Sequence, residues 1–264
     1  AQAHDANIGS DYFKYAQWVR EMADVIKTSP YYDPKKVILV TSGRNPHPDA
    51  SYWVNIRALT GDKGHVDCLA VSGYLGGNLD YDPDIPAGNS ELDYYKNGVE
   101  MAAKNMEGLV LTMKEMVELT GTVKSFYMYE SNMTTEAYNG RFGQAVIMTD
   151  YLAKSMNYGS IVPSLFHLTG GQWRITRPAE NYRELPLYTL GKYFNRFCKG
   201  HILRNELITN DTIRNSTGKK ISYSPVGTYV YNRGEDFSIL LVNRDFENDF
   251  TVRVNLPKTH GLQA

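Results

Sequence analysis

The sequence has few cysteines, no long apolar run and almost no net charge, and these shortages narrow the possible functions. No stretch approaches the roughly 20 apolar residues that a membrane-spanning helix needs. The formal net charge of −1 gives no basic excess of the kind that binds nucleic acid or anionic lipid. We therefore expect neither a nucleic-acid partner nor a membrane partner. The two cysteines, Cys68 and Cys198, leave the redox compartment undecided, and we expect Cys68 in the run VDCLAV to be a core residue.

Residues 1–10 do not have the pattern of a targeting segment. Residues 1–10, AQAHDANIGS, lack the basic start and apolar middle of a signal peptide. A processed N-terminus would look the same, so export stays open, and we favour a secreted or periplasmic protein over a cytoplasmic one. The 20 tyrosines suit clefts that stack on sugars, although most of them will be packing residues.

Helix-like and strand-like segments alternate along residues 1–199. Consecutive apolar, β-branched residues predict buried strands, and apolar residues at helical spacing predict helices. The predicted strands are 36–42, 65–74, 123–130 and 160–168. The predicted helices are 10–28, 48–59, 90–119, 142–157 and 185–198. This alternation indicates parallel strands that are joined by right-handed crossovers.

After residue 200 the pattern becomes antiparallel. Short, partly alternating segments appear, and NRGED at 232–236 is typical of a hairpin turn. The candidate strands are KKISYSP, TYVYNR, FSILLVNR and FTVRVNL. We predict an α/β domain over 1–199 and a small antiparallel β-sandwich over 200–264 that has a structural role and packs on the helices. Its buried residues should include Tyr229, Tyr231, Leu240 and Val242.

Parallel strands can form an open doubly wound sheet or an eightfold barrel. The open sheet is disfavoured because SGYLGGN, residues 72–78, lacks the spacing of a phosphate-binding glycine loop. In a barrel, function lies at the carboxyl ends of the strands. Each predicted strand here ends in polar or aromatic residues, which core packing alone does not explain. These ends are Ser42 to Asn45, Ser72 to Tyr74, Glu130 to Asn132, and His167 with Gln172 and Trp173.

Each candidate residue also has a structural interpretation. Glu130 can simply finish the strand VKSFYMYE at the surface. Arg44 and Asn45 either bind sugar hydroxyls or form a turn, and His167 either lines the cleft or is a core histidine. Glu136 is more typical of a solvated loop. No cofactor or metal is expected, because the carboxylates of 80–84 lack the spacing of a calcium-binding loop.

The order of these elements resembles the C-terminal half of clan A glycoside hydrolases. The strings VILVTSG, VDCLAVSGY, FYMYESN and VPSLFHLTGGQW, followed by a β-domain, are most like the α-L-arabinofuranosidase and β-xylosidase type. The resemblance implies the C-terminal half of a (β/α)8 barrel with a trailing β-sandwich. It further implies that Glu130 is the nucleophile, that Tyr74 supports it, and that Trp173 lies under the sugar.

A retaining glycosidase requires two carboxyl groups. One ionised carboxylate attacks the anomeric carbon, and a second carboxyl about 5–5.5 Å away protonates the leaving oxygen. A rigid strand end suits the nucleophile, and a hydrogen bond from Tyr74 would hold Glu130 ionised. The resemblance places the acid/base glutamate upstream of residue 1, in an N-terminal half-barrel supplied by the same precursor or by a separate chain.

We therefore expect a retaining glycoside hydrolase that acts on a plant or algal polysaccharide or oligosaccharide. Glu130 is its expected catalytic residue. The expected substrate-binding residues are Tyr74, Trp173, His167, Arg44, Asn45 and Asn132. The alternatives are a non-catalytic carbohydrate-binding relative of the same fold and an α/β module with an unrelated activity.

Overall fold

The computed structural model describes residues 12–42, 65–75, 118, 125–133, 140–160, 163–165, 174–209, 213–214, 222–245 and 247–255. The helices are α1 (Tyr12–Lys27), α2 (Phe142–Asn157) and α3 (Pro186–Phe197). The strands of the first part are β1 (Val40–Ser42), β2 (Cys68–Leu75), β3 (Ser125–Met133), β4 (Thr176–Arg177) and β5 (Arg183–Glu184). Those of the second part are β6 (His201–Leu203), β7 (Ile213–Arg214), β8 (Ser222–Tyr223), β9 (Val226–Arg233) and β10 (Asp236–Asn243). Within these ranges no helix is long and apolar enough to cross a membrane.

The first strands form the predicted parallel sheet. Its order is β1-β2-β3, and both pairings are parallel. On the other edge of β3, Ser160 and Leu165 form parallel bridges with Phe126 and Ser131. The predicted order of parallel neighbours is therefore confirmed, although 160–165 contacts β3 through isolated bridges rather than a continuous ladder. An α/β half-barrel followed by an antiparallel β region is the observed fold class.

The first strand is shorter than predicted. The ladder of β1 begins at Val40, although the apolar run begins at Val37. Residues 33–37 form a turn before this strand, in which the Asp33 carbonyl accepts hydrogen bonds from the backbone N–H groups of Lys36 and Val37. α1 covers the strand that follows, with the Tyr15 hydroxyl 2.9 Å from the Thr41 Oγ1.

Helix α2 is buried on nearly all sides because it lies between two layers. Its bounds match the predicted 142–157. One side packs under the parallel sheet, where the Tyr151 hydroxyl lies beside Gly73 of β2. Another side, at Ala153, contacts the antiparallel sheet. Its buried residues include polar ones such as Gln144 and Asp150, so the helix is enclosed although it is not apolar around its circumference.

The antiparallel sheet has the order β10-β9-β6. The β9–β10 hairpin confirms the turn predicted at NRGED, and Gly234 adopts φ +68° there. Tyr229, Tyr231 and Val242 are buried as predicted, whereas Leu240 is half-buried at the edge of the same cluster. The predicted strand FTVRVNL is wrong over its described residues, because 250–255 form no ladder. The division into domains at residue 199 stays a prediction.

A buried ion pair fixes this sheet to α2. Arg244 binds Asp150 through two bonds, Nε to Oδ2 at 2.7 Å and Nη2 to Oδ1 at 2.8 Å, and the Tyr229 hydroxyl donates to the same carboxylate. The two charged side chains are 12% and 5% exposed. Burial alone lowers the pKa of Arg244, but the Asp150 carboxylate more than offsets this effect, so the net shift is upward. The Arg244 guanidinium therefore stays charged.

Both cysteines of the chain lie in the described residues as free thiols. Cys68 is buried, as its apolar run predicted, and Cys198 is half-buried. Burial raises the pKa of each thiol to about 11. Both thiols are therefore protonated at neutral pH and poorly nucleophilic.

Removing one partner of the Asp150–Arg244 pair should destabilise the protein strongly. Asp150→Asn leaves a buried guanidinium without its counter-charge, and we expect a loss of about 3–5 kcal/mol in the free energy of unfolding, measured in urea. Lys36→Met is the control, because Lys36 pairs with Asp33 in an exposed bridge and should change stability by less than about 1 kcal/mol. Equal losses for the two variants would contradict the structural role of the buried pair.

Candidate functional site

Glu130 lies inside β3 and not at its end. The prediction that the strand stops at Glu130 is wrong, since the ladder continues through Ser131 and Asn132 to Met133. Contacts distant in sequence hold this extension: the Ser131 hydroxyl donates to the Ser164 carbonyl at 2.6 Å, and Asn132 is registered opposite Tyr74. The carboxylate is therefore carried by a strand that is fixed on both of its sides.

The pairing of β2 with β3 skips one residue just before Glu130. Val71 is opposite Met128, but the next residue of β2 is opposite Glu130, so Tyr129 is the extra residue of a β-bulge. Burial alternates along β3 up to this point, and then both Tyr129 and Glu130 are half-buried. Without the bulge, Glu130 would continue the alternation on the buried side of Met128. The bulge therefore turns the carboxylate to the other face.

The face occupied by Met128 is the one that carries α2. A Cβ built on Gly73 would lie 2.6 Å from the Met128 sulfur and would overlap the Tyr151 hydroxyl. Gly73 thus faces the helix, and its neighbour Tyr74 points away from the helix because successive strand residues alternate. The half-buried Tyr74 and Glu130 therefore share the face of the sheet that is opposite α2.

Tyr74 and Glu130 interact directly. Burial is the largest cause that raises the pKa of Tyr74, followed by the negative charge of Glu130, then Tyr129, and then the hydrogen bond to Glu130. The phenol therefore stays protonated through neutral and mildly alkaline pH, and its proton remains available to the carboxylate. The structure brings these two sequence-predicted residues together.

Aromatic side chains lie beside this pair. The rings of Tyr127 and Tyr129 are 6.5 Å apart between centroids, and the Tyr127 hydroxyl is 3.3 Å from the Ser164 Oγ. Both tyrosines are half-buried, on the side of β3 opposite Met128. The sequence pattern carries no signal for the bulge that places Tyr129 next to Glu130.

Asn132 has a different position from the one expected of a sugar-binding residue. Its side chain is fully buried, and its Oδ1 accepts hydrogen bonds from the Gln144 Nε2 at 2.9 Å and from the Met133 backbone N–H at 2.8 Å. These bonds lie within the protein, so this oxygen acts in holding the strand. Contact of Asn132 with a substrate stays a prediction.

The remaining predicted site residues lie outside the described residues. They are Arg44, Asn45, Glu136, His167 and Trp173. Their roles stay predictions, and so does the expectation that the carboxylates of 80–84, which also lie outside the described residues, do not form a calcium-binding loop. In the part of the chain that the structure describes, no group of three or more His, Cys, Asp or Glu side chains is arranged to hold a metal ion.

Solved structures share this fold. Neither a protein-family model nor a curated protein sequence matches the chain. The GH51 arabinofuranosidase from Xanthomonas axonopodis pv. citri is similar over 92% of this chain, with a TM-score of 0.65 at 12% identity. AbfB, a family 51 α-L-arabinofuranosidase from Bifidobacterium longum, is similar over 90%, with a TM-score of 0.64 at 12% identity. The chain spans about half the length of each, at 50%. At this identity the likeness shows the fold alone.

Gly73 should tolerate no side chain while Tyr151 keeps its hydroxyl. Gly73→Ala places a methyl group against Tyr151 and Met128, and we expect a loss of about 1–3 kcal/mol in the free energy of unfolding. Tyr151→Phe alone should be nearly neutral, because the buried hydroxyl has no hydrogen-bond partner among the described residues. The double variant should recover part of the loss. Additive losses in this double-mutant cycle would contradict the close packing of the sheet on α2.

Proposed function

We propose that this chain is the nucleophile-bearing half of a retaining glycoside hydrolase that acts on plant or algal polysaccharides or oligosaccharides. The observation that carries the proposal is the β-bulge at Tyr129, which turns the Glu130 carboxylate towards the Tyr74 phenol on the face opposite α2. A bulge that re-aims one carboxylate is a feature often found next to active sites. The shared fold of family 51 arabinofuranosidases supports the same reaction class.

In the proposed reaction Glu130 attacks the anomeric carbon and forms a covalent glycosyl ester. A second carboxyl group protonates the departing oxygen, and water then hydrolyses the ester with the second group acting as base. Tyr74 donates its hydrogen bond to the carboxylate and thereby fixes its orientation. The neighbouring rings of Tyr127 and Tyr129 offer faces against which a sugar can pack.

The first substrate to test is an α-L-arabinofuranoside. The structures described above are named for that activity. Twelve per cent identity carries over the fold only, so other pentosides and hexosides belong in the same screen.

We also propose that an N-terminal half-barrel covers the open side of this chain and supplies the acid/base glutamate. β1 is the edge of the described parallel sheet, and Ile38 and Val40, which alternate with the buried Leu39 and Thr41, are exposed. α1 exposes an apolar stripe that adjoins its packed face, at Trp18, Met22, Val25 and Ile26. Parallel strands are normally buried on both faces. An incomplete barrel accounts for both the exposed strand and the exposed stripe.

Three substitutions in the assembled enzyme test the proposed nucleophile. Glu130→Gln keeps the shape but removes the attacking charge, so turnover of an activated aryl arabinofuranoside should fall by several orders of magnitude while sugar binding survives. Tyr74→Phe removes one hydrogen bond to a charged group, worth about 1.5–3 kcal/mol, and should lower turnover by about 10- to 100-fold. Glu136→Gln is the control and should be far milder.

An activated leaving group needs little acid assistance, so this assay reports on the nucleophile. Near-normal turnover of Glu130→Gln would remove the hydrolase proposal. Saturable sugar binding without any turnover of the unmodified protein would instead favour the non-catalytic carbohydrate-binding relative.

The proposed partner surface is tested by placing a charge on α1. Val25→Glu puts a carboxylate in the middle of the exposed stripe, and we expect it to weaken association with a separately expressed N-terminal half by about tenfold or more, because the charge would be desolvated. Gln17→Lys is the matched control, since Gln17 is exposed on the same helix outside the stripe. Titration calorimetry of the two halves gives the affinity. Equal affinities for both variants would show that the stripe is not the interface.

A further inference from the structure

Gln144, in the first turn of α2, joins the helix to the strand that carries Glu130. Its side chain is only 2% exposed. The Nε2 donates to the Asn132 Oδ1 at 2.9 Å, and the Oε1 accepts from the backbone N–H of Gly140 at 2.9 Å. One amide group therefore has both of its polar ends engaged, one on β3 and one at the entrance to the helix.

These two bonds bracket residues 134–139, the segment that connects β3 with α2. On the strand side, the Asn132 Oδ1 also accepts from the Met133 backbone, which fixes the last residues of β3. On the helix side, Gly140 adopts φ +76°, a left-handed conformation that favours glycine. The Gln144 amide therefore holds the beginning and the end of the connection at a fixed separation.

The strand end held by Gln144 is part of the surroundings of Glu130. Asn132 follows Glu130 by two residues and is registered opposite Tyr74, so a displacement of Asn132 moves both members of the Tyr74–Glu130 pair. Ser131, which lies between Glu130 and Asn132 in the strand, donates a hydrogen bond to the Ser164 carbonyl on the other edge of β3. Gln144 supplies a further constraint, from the helix.

Helix capping accounts for only half of this geometry. A glutamine at the third helical position commonly accepts a hydrogen bond from the backbone that precedes the helix, which explains the bond from Gly140. Capping does not explain the bond of the Nε2 group, because this group donates to the fully buried side chain of Asn132 on β3. The donor end of Gln144 therefore serves the strand rather than the helix.

We propose that Gln144 is a positioning residue that holds Glu130 and Tyr74 in the geometry required for nucleophilic attack. This inference rests on the proposed function, in which the Glu130 carboxylate is the reacting group. Gln144 itself acts only through Asn132 and the β3 backbone.

Two substitutions separate positioning from capping. Gln144→Glu keeps the acceptor for Gly140 and adds an acid to the first turn, which suits the helix dipole, but it removes the donor to Asn132. Gln144→Met removes both bonds without adding charge. In the assembled enzyme we expect kcat to fall about tenfold or more in both variants with KM nearly unchanged. We expect thermal stability to fall in both, because Gln144→Glu also buries a carboxylate opposite the Asn132 Oδ1 acceptor. Small errors in the position of a reacting group have effects of this size or larger.

Gln17→Glu is the matched control. Gln17 also donates its amide to a side chain, at 3.0 Å to the Glu21 Oε1, but it does so on the exposed surface of α1. Its substitution should leave kcat unchanged. A normal kcat in both Gln144 variants would overturn the positioning role. A normal kcat in Gln144→Glu alone would also overturn it, because capping would then explain the residue.

A second measurement does not depend on activity. The phenol carbon resonance of Tyr74 at neutral pH, assigned by comparison with Tyr74→Phe, reports its hydrogen bond to Glu130. Separating the two groups in the Gln144→Met variant should shift this resonance. If the unmodified protein hydrolyses no glycoside, the proposed function fails while this resonance still decides the role of Gln144. An unchanged Tyr74 resonance in Gln144→Met would overturn it.

Discussion

The orientation of the Glu130 side chain depends on the β-bulge, in which β3 has one residue more than the paired segment of β2. In a regular parallel ladder, Glu130 would point with Met128 into the layer beneath the sheet, where a carboxylate without a partner is costly. The extra residue, Tyr129, moves it to the opposite face. On that face the Tyr74 phenol donates a hydrogen bond to the carboxylate, and Glu130 is only half-buried. The same irregularity therefore removes an energetic conflict and creates a carboxylate with a fixed orientation.

The bulge is held in place by the layer below it. Gly73 has no side chain where the Tyr151 hydroxyl meets the sheet, so α2 approaches β2 and β3 closely. On its far side α2 is fixed to the antiparallel sheet by Asp150 and Arg244. A buried ion pair adds little net stability over a well-packed apolar alternative, but breaking it is costly, so it selects one arrangement of the layers. The antiparallel sheet thus supports the site without contributing a reacting group to the proposed chemistry.

Local periodicity predicted the elements whose environment is uniform along their length. The helix 142–157 and the hairpin at NRGED agree with the structure, because helical spacing and turn residues are local signals. The same reasoning ended β3 at Glu130, where large residues give way to polar ones. The strand continues because Ser131 bonds a carbonyl 33 residues away and Asn132 bonds a side chain 12 residues away. Such pairings have no signal in a local window.

The site was only partly predictable for the same reason. The position of an acidic residue after a bulky strand indicated Glu130, and the strand order brought Tyr74 beside it. The register skip at Tyr129 and the bond from Gln144 depend on how two strands and a helix meet, and neither alters the local pattern of residues. On α1, Met22 and Ile26 lie at helical spacing from Tyr15, yet both are exposed, whereas Tyr15, Ala16 and Ala23 are packed. Residue spacing alone shows that one face of a helix is apolar, but it does not show which part of the protein packs against that face.

The central claim is that Glu130 forms a covalent bond to the sugar. A glycoside with a fluorine at carbon 2 and a good leaving group slows hydrolysis of such an ester, so the intermediate accumulates and is identified by mass spectrometry of proteolytic peptides. In the assembled enzyme, the peptide that contains Glu130 should gain the mass of one fluorinated glycosyl group, and Glu130→Gln should abolish the gain. Labelling of a different carboxylate, in a protein that still hydrolyses its substrate with retention, would contradict the account.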